Sequence, residues 1–363
     1  MTDDCARSAD TENISDSDLL RIIIHGVTAF EVLRTALELD LFGHLEGSDG
    51  MSTDQVAQAM GIDQQPARIL LLALASLQMI RKDGATGKYV NSDIARRKLL
   101  RSSPRFLGPL VDVQEKVINP GMKEFAASIR QNTNVGLSYL DGPGATLYER
   151  LTQYPELQQI FYRNMSDASS KALPQALDSF DFSELTHIVD LGSGDGVNGI
   201  ELAVRHPHLT ITTHDQESAV QIAEQNAVKA GVRDRYNPSV GDLFNDPFPS
   251  GADGILYFHI FEIWSIKRNI ELLKKCYDAL PPGGVVLVYS FVSNDENTGP
   301  LTAGLVSPYF LTIASGEGMM YSSRDMVAAV QSAGFTHIER YENVGFSHTL
   351  VAGYKVQQSA DTP

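Results

Sequence analysis

The chain has 363 residues, enough for two or three domains with a sizeable hydrophobic core. Its 45 Asp and Glu residues outnumber its 29 Lys and Arg residues, and the formal net charge is −16 at pH 7. This charge argues against nucleic acid and anionic membranes as partners of the whole chain, and the apolar runs are too short to span a bilayer. The N-terminus is acidic, whereas a signal peptide begins with basic residues, so we expect a cytoplasmic protein.

The first third of the chain has the pattern of a winged helix. Residues 1–16 are polar and are expected to form a disordered tail. Apolar residues at helical spacing then predict helices over 18–45, 55–60 and 65–79. A hairpin with glycine in its turns is predicted over 80–90. The order of three helices and a hairpin is the one found in winged-helix domains.

A winged helix suggests DNA binding, but the helix that would enter the groove is apolar at its centre, from Ile69 to Leu77. Such a surface does not suit a groove lined by phosphates. We therefore predict that residues 17–104 form a dimerisation domain through which the protein forms a homodimer. A winged-helix transcription factor with a ligand-binding C-terminal domain is the alternative, and salt-dependent DNA binding would distinguish it.

The remainder of the chain is predicted to be a helical connector followed by an α/β domain. The connector covers 105–185, with breaks at Pro120, at 141–144 and at Pro155. Residues 186–363 alternate between strands and helices, which predicts a Rossmann-like, doubly wound, mostly parallel sheet. A short connection joins the last two strands, so that pair should be antiparallel. The predicted strands are 187–191, 209–214, 235–240, 253–258, 284–291, 336–342 and 348–355.

The first two strands of this domain carry the signature of a nucleoside site. A strand that ends in Asp190 is followed at alternate positions by Gly192, Gly194 and Gly196. Glycines let the backbone approach a ligand closely and adopt dihedral angles that other residues avoid. The next strand ends in Asp215, about twenty residues further on, where an acid accepts hydrogen bonds from ribose hydroxyls.

Two further features narrow the type of site. Gly241-Asp242-Leu243-Phe244 follows the third strand, where Asp242 can accept from an adenine amino group and Phe244 can cover the ring. The turn at 281–284 precedes a strongly apolar strand. An acid followed by G-x-G-x-G resembles the first motif of class I methyltransferases that use S-adenosylmethionine. Over nearly the whole chain, the order of domains resembles the caffeic-acid-type and bacterial small-molecule O-methyltransferases.

This resemblance implies that the protein binds S-adenosylmethionine and methylates a small aromatic secondary metabolite on oxygen or carbon. It places Phe161 and Met165 against the acceptor, and it makes His25 and Phe30 candidates for the wall of a partner subunit's pocket. Residues expected at the cofactor are Ser169, Asp190, Gly192, Gly194, Gly196, Asp215, Gln216, Gly241, Asp242, Leu243, Phe244 and Phe258. Residues expected at the acceptor are Phe161, Met165, Trp264, Glu317 and Met320.

The sequence departs from the family at the catalytic histidine. Alignment on Trp264 places Glu262 at the histidine position and Ser290 at the acid that steadies it. A phenol has a pKa near 10, so it benefits from a base, and a solvated Glu is a weaker base than His. Burial of Glu262 could strengthen it, or His259 could be the base, or an activated acceptor carbon could need little assistance. Both Glu262 and His259 are therefore catalytic candidates.

Three alternatives stay open at these positions. The segment that contains Glu317 and Met320 fits a pocket wall or a glycine-hinged surface loop equally well. His259 and Glu262 have a spacing that can share a metal, but two ligands are too few, and no metal is predicted. The departures also leave room for a relative that retains the cofactor but catalyses a rearrangement or a pericyclic step.

Overall fold

The computed structural model describes residues 14–356, so most of the predicted tail lies outside the described residues. The chain divides into two compact units, one up to Val111 and the other from Asp112 onward. This boundary lies inside the predicted connector, most of which belongs to the second unit. No helix in the described range is long and apolar enough to cross a membrane.

The first unit consists of helices and one hairpin. Its antiparallel strands are β1 (Ile80–Lys82) and β2 (Tyr89–Asn91). Its helices are α1 (Asp16–Ile24), α2 (Gly26–Glu38), α3 (Leu41–Glu46), α4 (Thr53–Met60), α5 (Gln64–Ser76) and α6 (Asp93–Lys98). Five helices, α1 to α5, precede the two-stranded hairpin, whereas the sequence predicted three helices there.

The prediction of one helix over 18–45 is wrong, because three helices occupy that range. The backbone leaves the helical conformation at His25, between α1 and α2. Asp40, between α2 and α3, has a left-handed φ of 52°. Apolar spacing could not show these breaks, because apolar residues recur at helical spacing on both sides of them.

The second unit begins with short helices and continues as an α/β domain. Helix α7 (Gly108–Val113) spans the boundary between the units. The helices that follow are α8 (Asn119–Met122), α9 (Phe125–Gln131), α10 (Leu147–Leu151), α11 (Pro155–Ser179), α12 (Val197–Arg205), α13 (Glu217–Lys229), α14 (Ile266–Ala279), α15 (Leu301–Tyr309) and α16 (Ser323–Ser332). Two π-helical turns cover Gln114–Ile118 and Phe310–Ala314, and two 3₁₀ turns cover Val135–Tyr139 and Arg233–Arg235.

A seven-stranded sheet forms the centre of this unit. Its strands are β3 (His187–Leu191), β4 (Thr210–Asp215), β5 (Tyr236–Val240), β6 (Gly254–Phe258), β7 (Val285–Phe291), β8 (His337–Glu342) and β9 (His348–Tyr354). Their order is β5-β4-β3-β6-β7-β9-β8, and β9 is antiparallel to both of its neighbours. The α/β prediction is confirmed, and every predicted strand ends within one residue of its observed bounds.

The sheet topology fixes where a ligand can bind. Strands β4, β3, β6 and β7 are parallel, so their carboxyl ends meet at one edge. The strand order reverses between β3 and β6, and open α/β sheets bind ligands at such a switch point. Segments that follow these strands are therefore brought together although they lie far apart in sequence.

Apolar layers on both faces of the sheet hold this edge in place. Ile188 of β3 packs into the layer that contains Leu202, whereas the next residue, Val189, packs into the opposite layer with Leu272. Burying one such side chain contributes about 1.5–3 kcal/mol. A strand buried on both faces appears in the sequence as a continuous apolar run, which is why β3 was easy to predict.

One carboxyl group lies inside this core. Asp190 has no exposed surface, and its Oδ2 accepts a hydrogen bond of 3.0 Å from the backbone N–H of Gly199 in α12. Burial raises the pKa of Asp190 to about 7, and the hydrogen bond from Gly199 opposes that rise. Asp190 thus joins the end of β3 to the first turns of α12.

This burial predicts a pH dependence of stability. An Asp in the unfolded chain titrates near 3.9, so between about pH 4 and pH 7 the folded protein binds the extra proton and stability falls as pH rises. Asn does not titrate, so the stability of Asp190→Asn lacks this contribution. We expect the free energy of unfolding of Asp190→Asn, relative to that of the native protein, to increase between about pH 5 and about pH 8. Urea unfolding of both proteins measures this difference, and a pH-independent difference would contradict the assignment.

Candidate active site

The loop between β3 and α12 is built for close approach to a ligand. Gly192, Gly194 and Gly196 have φ values of 58°, 57° and 85°, in the left-handed region that favours glycine. A Cβ at Gly196 would lie 2.6 Å from the Tyr236 Oη and 2.9 Å from the Ala223 Cβ. The loop therefore has no room for a side chain at its last position, and its backbone forms the ligand-facing surface.

The acid at the end of β4 braces this loop. Asp215 Oδ2 accepts a hydrogen bond of 2.8 Å from Gly194 N–H, and Oδ1 accepts one of 2.6 Å from Gln216 N–H. Burial raises the pKa of Asp215, and these two N–H groups oppose the rise. The carboxylate is held at the switch point, beside the glycine loop.

One face of α11 covers the loop. Ser166 Oγ donates a hydrogen bond to the carboxylate of Asp195, and the Tyr162 ring would lie 3.7 Å from a Cβ at Gly194. Ser169, a predicted cofactor residue, is buried on the same helix. Tyr162, Ser166 and Ser169 are spaced four and three residues apart, so they share this face. Helical spacing back from Ser169 would have found Tyr162 and Ser166, which the sequence analysis missed.

An aromatic cluster lies beyond β5. The Phe244 ring meets Trp264 edge-on at 4.8 Å between centroids, and the Arg268 guanidinium lies 4.2 Å from the centre of the Phe244 ring. Asp242 Oδ1 accepts from the backbone N–H groups of Phe244 and Asn245 at 2.9 Å and 2.8 Å. Trp264, which was predicted to contact the acceptor, therefore lies with a predicted cofactor residue.

Some predicted cofactor residues have their side chains in the core. Phe258 is only 3% exposed, and its ring packs 5.1 Å from Tyr289. A Cβ at Gly241 would lie 2.3 Å from the His214 ring. Phe258, like Asp190, lies on a strand and supports the site from beneath, because strand side chains point to the two faces of the sheet. Leu243 lies nearer the loop, with Cδ1 3.9 Å from the Cβ position of Gly192.

These groups suit a cationic nucleoside. S-adenosylmethionine carries a positive sulfonium and a positive amino group together with a ribose and an adenine ring. Three carboxylates, those of Asp190, Asp195 and Asp215, lie close enough that the latter two raise the pKa of the first. The negative charge, the glycine loop and the half-buried Phe244 ring together fit each part of that ligand.

A hydrogen-bonded series of side chains follows β6. Glu262 is 4% exposed, and its Oε1 lies 3.3 Å from His259 Nδ1. Ser290 Oγ, on β7, donates a hydrogen bond to the other carboxylate oxygen. His259 has a left-handed φ of 55°, and its backbone N–H donates a hydrogen bond of 2.8 Å to the backbone carbonyl oxygen of Tyr289. A non-glycine residue in this conformation is uncommon and occurs preferentially at functional sites.

This geometry defines what the imidazole can do. When Glu262 accepts from Nδ1–H, the proton of the neutral ring is on Nδ1 and Nε2 keeps its lone pair. His259 can therefore accept a proton at Nε2 while the carboxylate holds the ring. No group of three or more His, Cys, Asp and Glu side chains in residues 14–356 is arranged to hold a metal ion.

A second histidine, His348, which the sequence analysis did not predict, packs beside His259. His348 stacks on Tyr289 with 4.7 Å between centroids and meets His259 edge-on at 5.3 Å. Burial, together with the neighbouring His259 ring, lowers the pKa of His348 to about 3. His348 is therefore a neutral wall of the site at physiological pH.

A second aromatic cluster, around Phe161, lies near Glu262. Phe161 and Met320 share a buried apolar cluster with Tyr309, and Tyr148 meets Phe161 edge-on at 5.9 Å. The structure thus brings together Phe161 and Met320, both predicted to contact the acceptor. Met165, which was also predicted to contact the acceptor, is 41% exposed and is not part of this cluster.

Glu317 lies elsewhere. Its carboxylate accepts from Ser265 Oγ at 2.9 Å and pairs with Arg268 Nε at 3.2 Å. These groups line an open groove of about 540 Å³ together with Phe244. The neighbouring Gly318 packs against the backbone, since a Cβ there would lie 2.1 Å from the Glu262 carbonyl oxygen. The loop therefore fixes the backbone of Glu262. Of the two residues of this loop that were predicted to contact the acceptor, Glu317 and Met320, only Met320 packs with Phe161 and Tyr309.

Comparison with known families agrees with this architecture. The O-methyltransferase dimerisation domain matches residues 22–101, and the O-methyltransferase domain matches residues 122–336, more than half of the chain. The chain belongs to this O-methyltransferase family and is an S-adenosylmethionine-dependent methyltransferase. The predicted family, fold and cofactor are confirmed.

Two relatives are similar over most of their length. L-tyrosine C(3)-methyltransferase of Streptomyces lavendulae is 33% identical over 331 residues, which cover 91% of this chain and 90% of that protein. 3-hydroxy-5-methyl-1-naphthoate 3-O-methyltransferase of Streptomyces sahachiroi is 30% identical over 339 residues, covering 93% and 95%.

Solved structures show the same fold. The S-adenosylmethionine-dependent methyltransferase SibL, in its apo form, has a TM-score of 0.79 and 32% identity, covering 94% of this chain and 100% of that one. Human N-acetylserotonin methyltransferase, in complex with SAM, has a TM-score of 0.79 at 22% identity, covering 97% of this chain and 100% of that one.

We expect Asp215→Ala to weaken S-adenosylmethionine binding by at least about 100-fold. A hydrogen bond to a charged group contributes about 1.5–3 kcal/mol, and the variant would lose both the predicted ribose contacts and the observed brace on Gly194. Calorimetric titration measures the affinity, with Asp234→Ala as an exposed control of equal charge. Equal affinities for the Asp215 variant and the native protein would contradict the assignment.

Proposed function

We propose that this methyltransferase transfers the methyl group to a ring carbon next to the hydroxyl group of a small phenol. The observation that carries the proposal is the series Ser290–Glu262–His259 beside the aromatic cluster around Phe161, which we propose as the acceptor pocket. The name of the relative from Streptomyces lavendulae, a methyltransferase for C(3) of L-tyrosine, supports a phenolic acceptor and a carbon nucleophile.

His259 is the proposed base, and Glu262 is the residue that orients it. The carboxylate is buried, with one oxygen held by Ser290 and the other beside His259 Nδ1. A buried carboxylate of this kind stabilises the imidazolium that forms when Nε2 takes a proton. In this arrangement the family's histidine position is taken by Glu262, and the base lies three residues earlier.

The proposed reaction begins with proton transfer from the phenol to His259 Nε2. When bound, S-adenosylmethionine supplies an electrophilic methyl group, and the electron pair of the carbon–sulfur bond that breaks stays on sulfur. The ring carbon next to the oxygen provides the pair for the new carbon–carbon bond. The hydrogen on that carbon is then lost, which restores aromaticity, and one net proton is released to solvent.

The aromatic pocket positions the acceptor. Phe161 and Met320 are buried and supply flat apolar contacts for a ring. Glycine at position 318 lets the loop before Met320 lie directly on the Glu262 backbone, so the pocket wall and the proton-transfer groups are held together. Most of the rate acceleration is then expected from holding the acceptor against the methyl carbon.

Transfer to the phenolic oxygen is the second candidate. It is supported by the relative from Streptomyces sahachiroi, whose name specifies 3-O-methylation of a hydroxynaphthoate. Carbon methylation is preferred because the sequence alignment on Trp264 predicts departures from the O-methyltransferase pattern at both Glu262 and Ser290. Both candidates are methyl transfers, which leaves the rearrangement alternative without a supporting observation.

A homodimer is the proposed assembly. The first unit matches a dimerisation domain and carries exposed apolar side chains on α1, α2 and α5. Ile23, Val27 and Leu72 are 66%, 81% and 69% exposed. Large apolar side chains exposed together are typical of an interface with another chain.

The site of transfer can be read directly from the product. We expect incubation with methyl-¹³C-labelled S-adenosylmethionine and L-tyrosine to give a product with the labelled methyl on a ring carbon and one aromatic hydrogen fewer. Carbon–hydrogen correlation spectra identify the attachment, with L-phenylalanine as the control acceptor that lacks the hydroxyl. A label on oxygen would overturn carbon methylation, and the absence of product with every phenol tried would overturn the acceptor class.

Variants of the proton-transfer groups test their roles. We expect His259→Gln to lower kcat by about 10²- to 10⁴-fold, the usual contribution of a general base. Glu262→Gln should lower it less, because the base remains but loses its charged partner. Steady-state kinetics and cofactor titration measure both effects, with Glu201→Gln on the α12 surface as the matched control. Unchanged turnover in His259→Gln, or lost cofactor binding in both variants, would contradict these roles.

A further inference from the structure

Two tyrosines lie in the aromatic cluster around Phe161, the proposed acceptor pocket, and have no role in the proton transfer described above. Tyr309 ends α15 and is buried, and Tyr148 is half-buried in α10. Both pack in the apolar cluster that contains Phe161 and Met320. Tyr148 meets the Phe161 ring edge-on, so the two tyrosines border the surface on which an aromatic acceptor would lie.

The Tyr309 hydroxyl is a buried hydrogen-bond donor. Its Oη is buried, its one hydrogen-bonding neighbour among the described residues is the Tyr148 hydroxyl, and no carbonyl or carboxylate group accepts its proton. Other tyrosines of this region are paired, since Tyr139 donates to the Val117 carbonyl and Tyr154 donates to the Asp141 carbonyl at 3.1 Å. Buried polar groups in native proteins are nearly always paired, so the Tyr309 proton is available to an acceptor atom of a bound ligand.

The electrostatics place this donor near the proton-transfer groups. Burial raises the pKa of both Tyr309 and Tyr148, and the Glu262 carboxylate is close enough to raise both further. The Tyr309 hydroxyl also raises the pKa of Tyr148, so the two hydroxyls are neighbours. Both groups therefore stay protonated at physiological pH and can act as donors on the side of the pocket that holds Glu262.

We propose that the Tyr309 hydroxyl, with Tyr148 beside it, donates a hydrogen bond to the phenolic oxygen of the acceptor and so directs the methyl group to the adjacent ring carbon. This inference rests on the proposed function. As His259 removes the phenolic proton, negative charge develops on oxygen, and an O–H donor to a charged oxygen forms a strong bond. A lone pair held in that bond is a poorer nucleophile, whereas the ring carbon remains free to react.

The proton and electron balance is that of the proposed reaction. The phenolic proton goes to His259, the ring carbon provides the bonding pair, and the ring hydrogen is lost as aromaticity returns. Tyr309 keeps its own proton throughout, so it is neither consumed nor regenerated. Removing its hydroxyl should leave the base intact and change which atom is methylated.

The experiment compares Tyr309→Phe with the native protein and with Tyr154→Phe, which removes a hydroxyl at the surface and keeps the ring. With L-tyrosine as acceptor, we expect the ratio of carbon- to oxygen-methylated product to fall by about 10-fold or more in Tyr309→Phe, a factor equivalent to about 1.4 kcal/mol. Tyr154→Phe should keep the native ratio. The same isotope-labelled product analysis gives the ratio for each protein.

A binding measurement without turnover gives an independent readout. Calorimetry of L-tyrosine and L-phenylalanine compares ligands that differ only in the hydroxyl. We expect Tyr309→Phe to weaken L-tyrosine binding by about 10-fold and to leave L-phenylalanine binding unchanged, because the lost contact needs both hydroxyls. If Tyr309→Phe does not fold, Tyr148→Phe is expected to shift both readouts in the same direction.

The outcomes separate this inference from the proposed function. Native protein that methylates the oxygen overturns the proposed function, and the directing role with it. If the native protein methylates carbon and folded Tyr309→Phe gives the same product ratio, only the directing role is overturned. Equal weakening of L-tyrosine and L-phenylalanine binding would show a packing effect and would also overturn it.

Discussion

A buried carboxylate at the carboxyl edge of the sheet is the interaction on which this active site depends. Glu262 is removed from water, and a buried charge is costly unless hydrogen-bonded neighbours compensate it. Ser290 provides one such bond from β7, and His259 provides the other from the turn after β6. The same requirement that stabilises the carboxylate therefore fixes the tautomer and orientation of the imidazole. Gly318 lets a loop pack on the Glu262 backbone, which restricts the group further.

Long helix α11 connects the two halves of the site. The side of α11 that carries Tyr162 and Ser166 faces the glycine loop. The neighbouring Phe161 packs with Tyr148 in the second aromatic cluster. Parallel strands bring the loops after β3, β4 and β6 to the same edge, so one helix can contact both regions. Cofactor and acceptor are thus expected side by side along one rigid element, because a displacement reaction needs the reacting atoms about 3–3.5 Å apart.

The strands, the glycine loop and Asp215 could be predicted because each depends on local sequence. The His259–Glu262 contact could only be offered as an alternative, since it depends on a left-handed turn at His259 that spacing does not reveal. Tyr309 was missed because it lies in a helix far along the chain, and only the fold brings it to Glu262. Glu317 resembled a pocket acid, but Arg268, one turn into α14, draws its carboxylate into the surface groove.

The tautomer of His259 tests the central claim most directly. Selective ¹⁵N labelling of the nine histidines, with His259→Gln to assign the signal, allows the protonated ring nitrogen to be identified by NMR. We predict that neutral His259 carries its proton on Nδ1 and that this preference is lost in Glu262→Ala. A neutral His259 with its proton on Nε2 in the native protein would contradict the account, because the nitrogen facing Glu262 would then have no proton to donate.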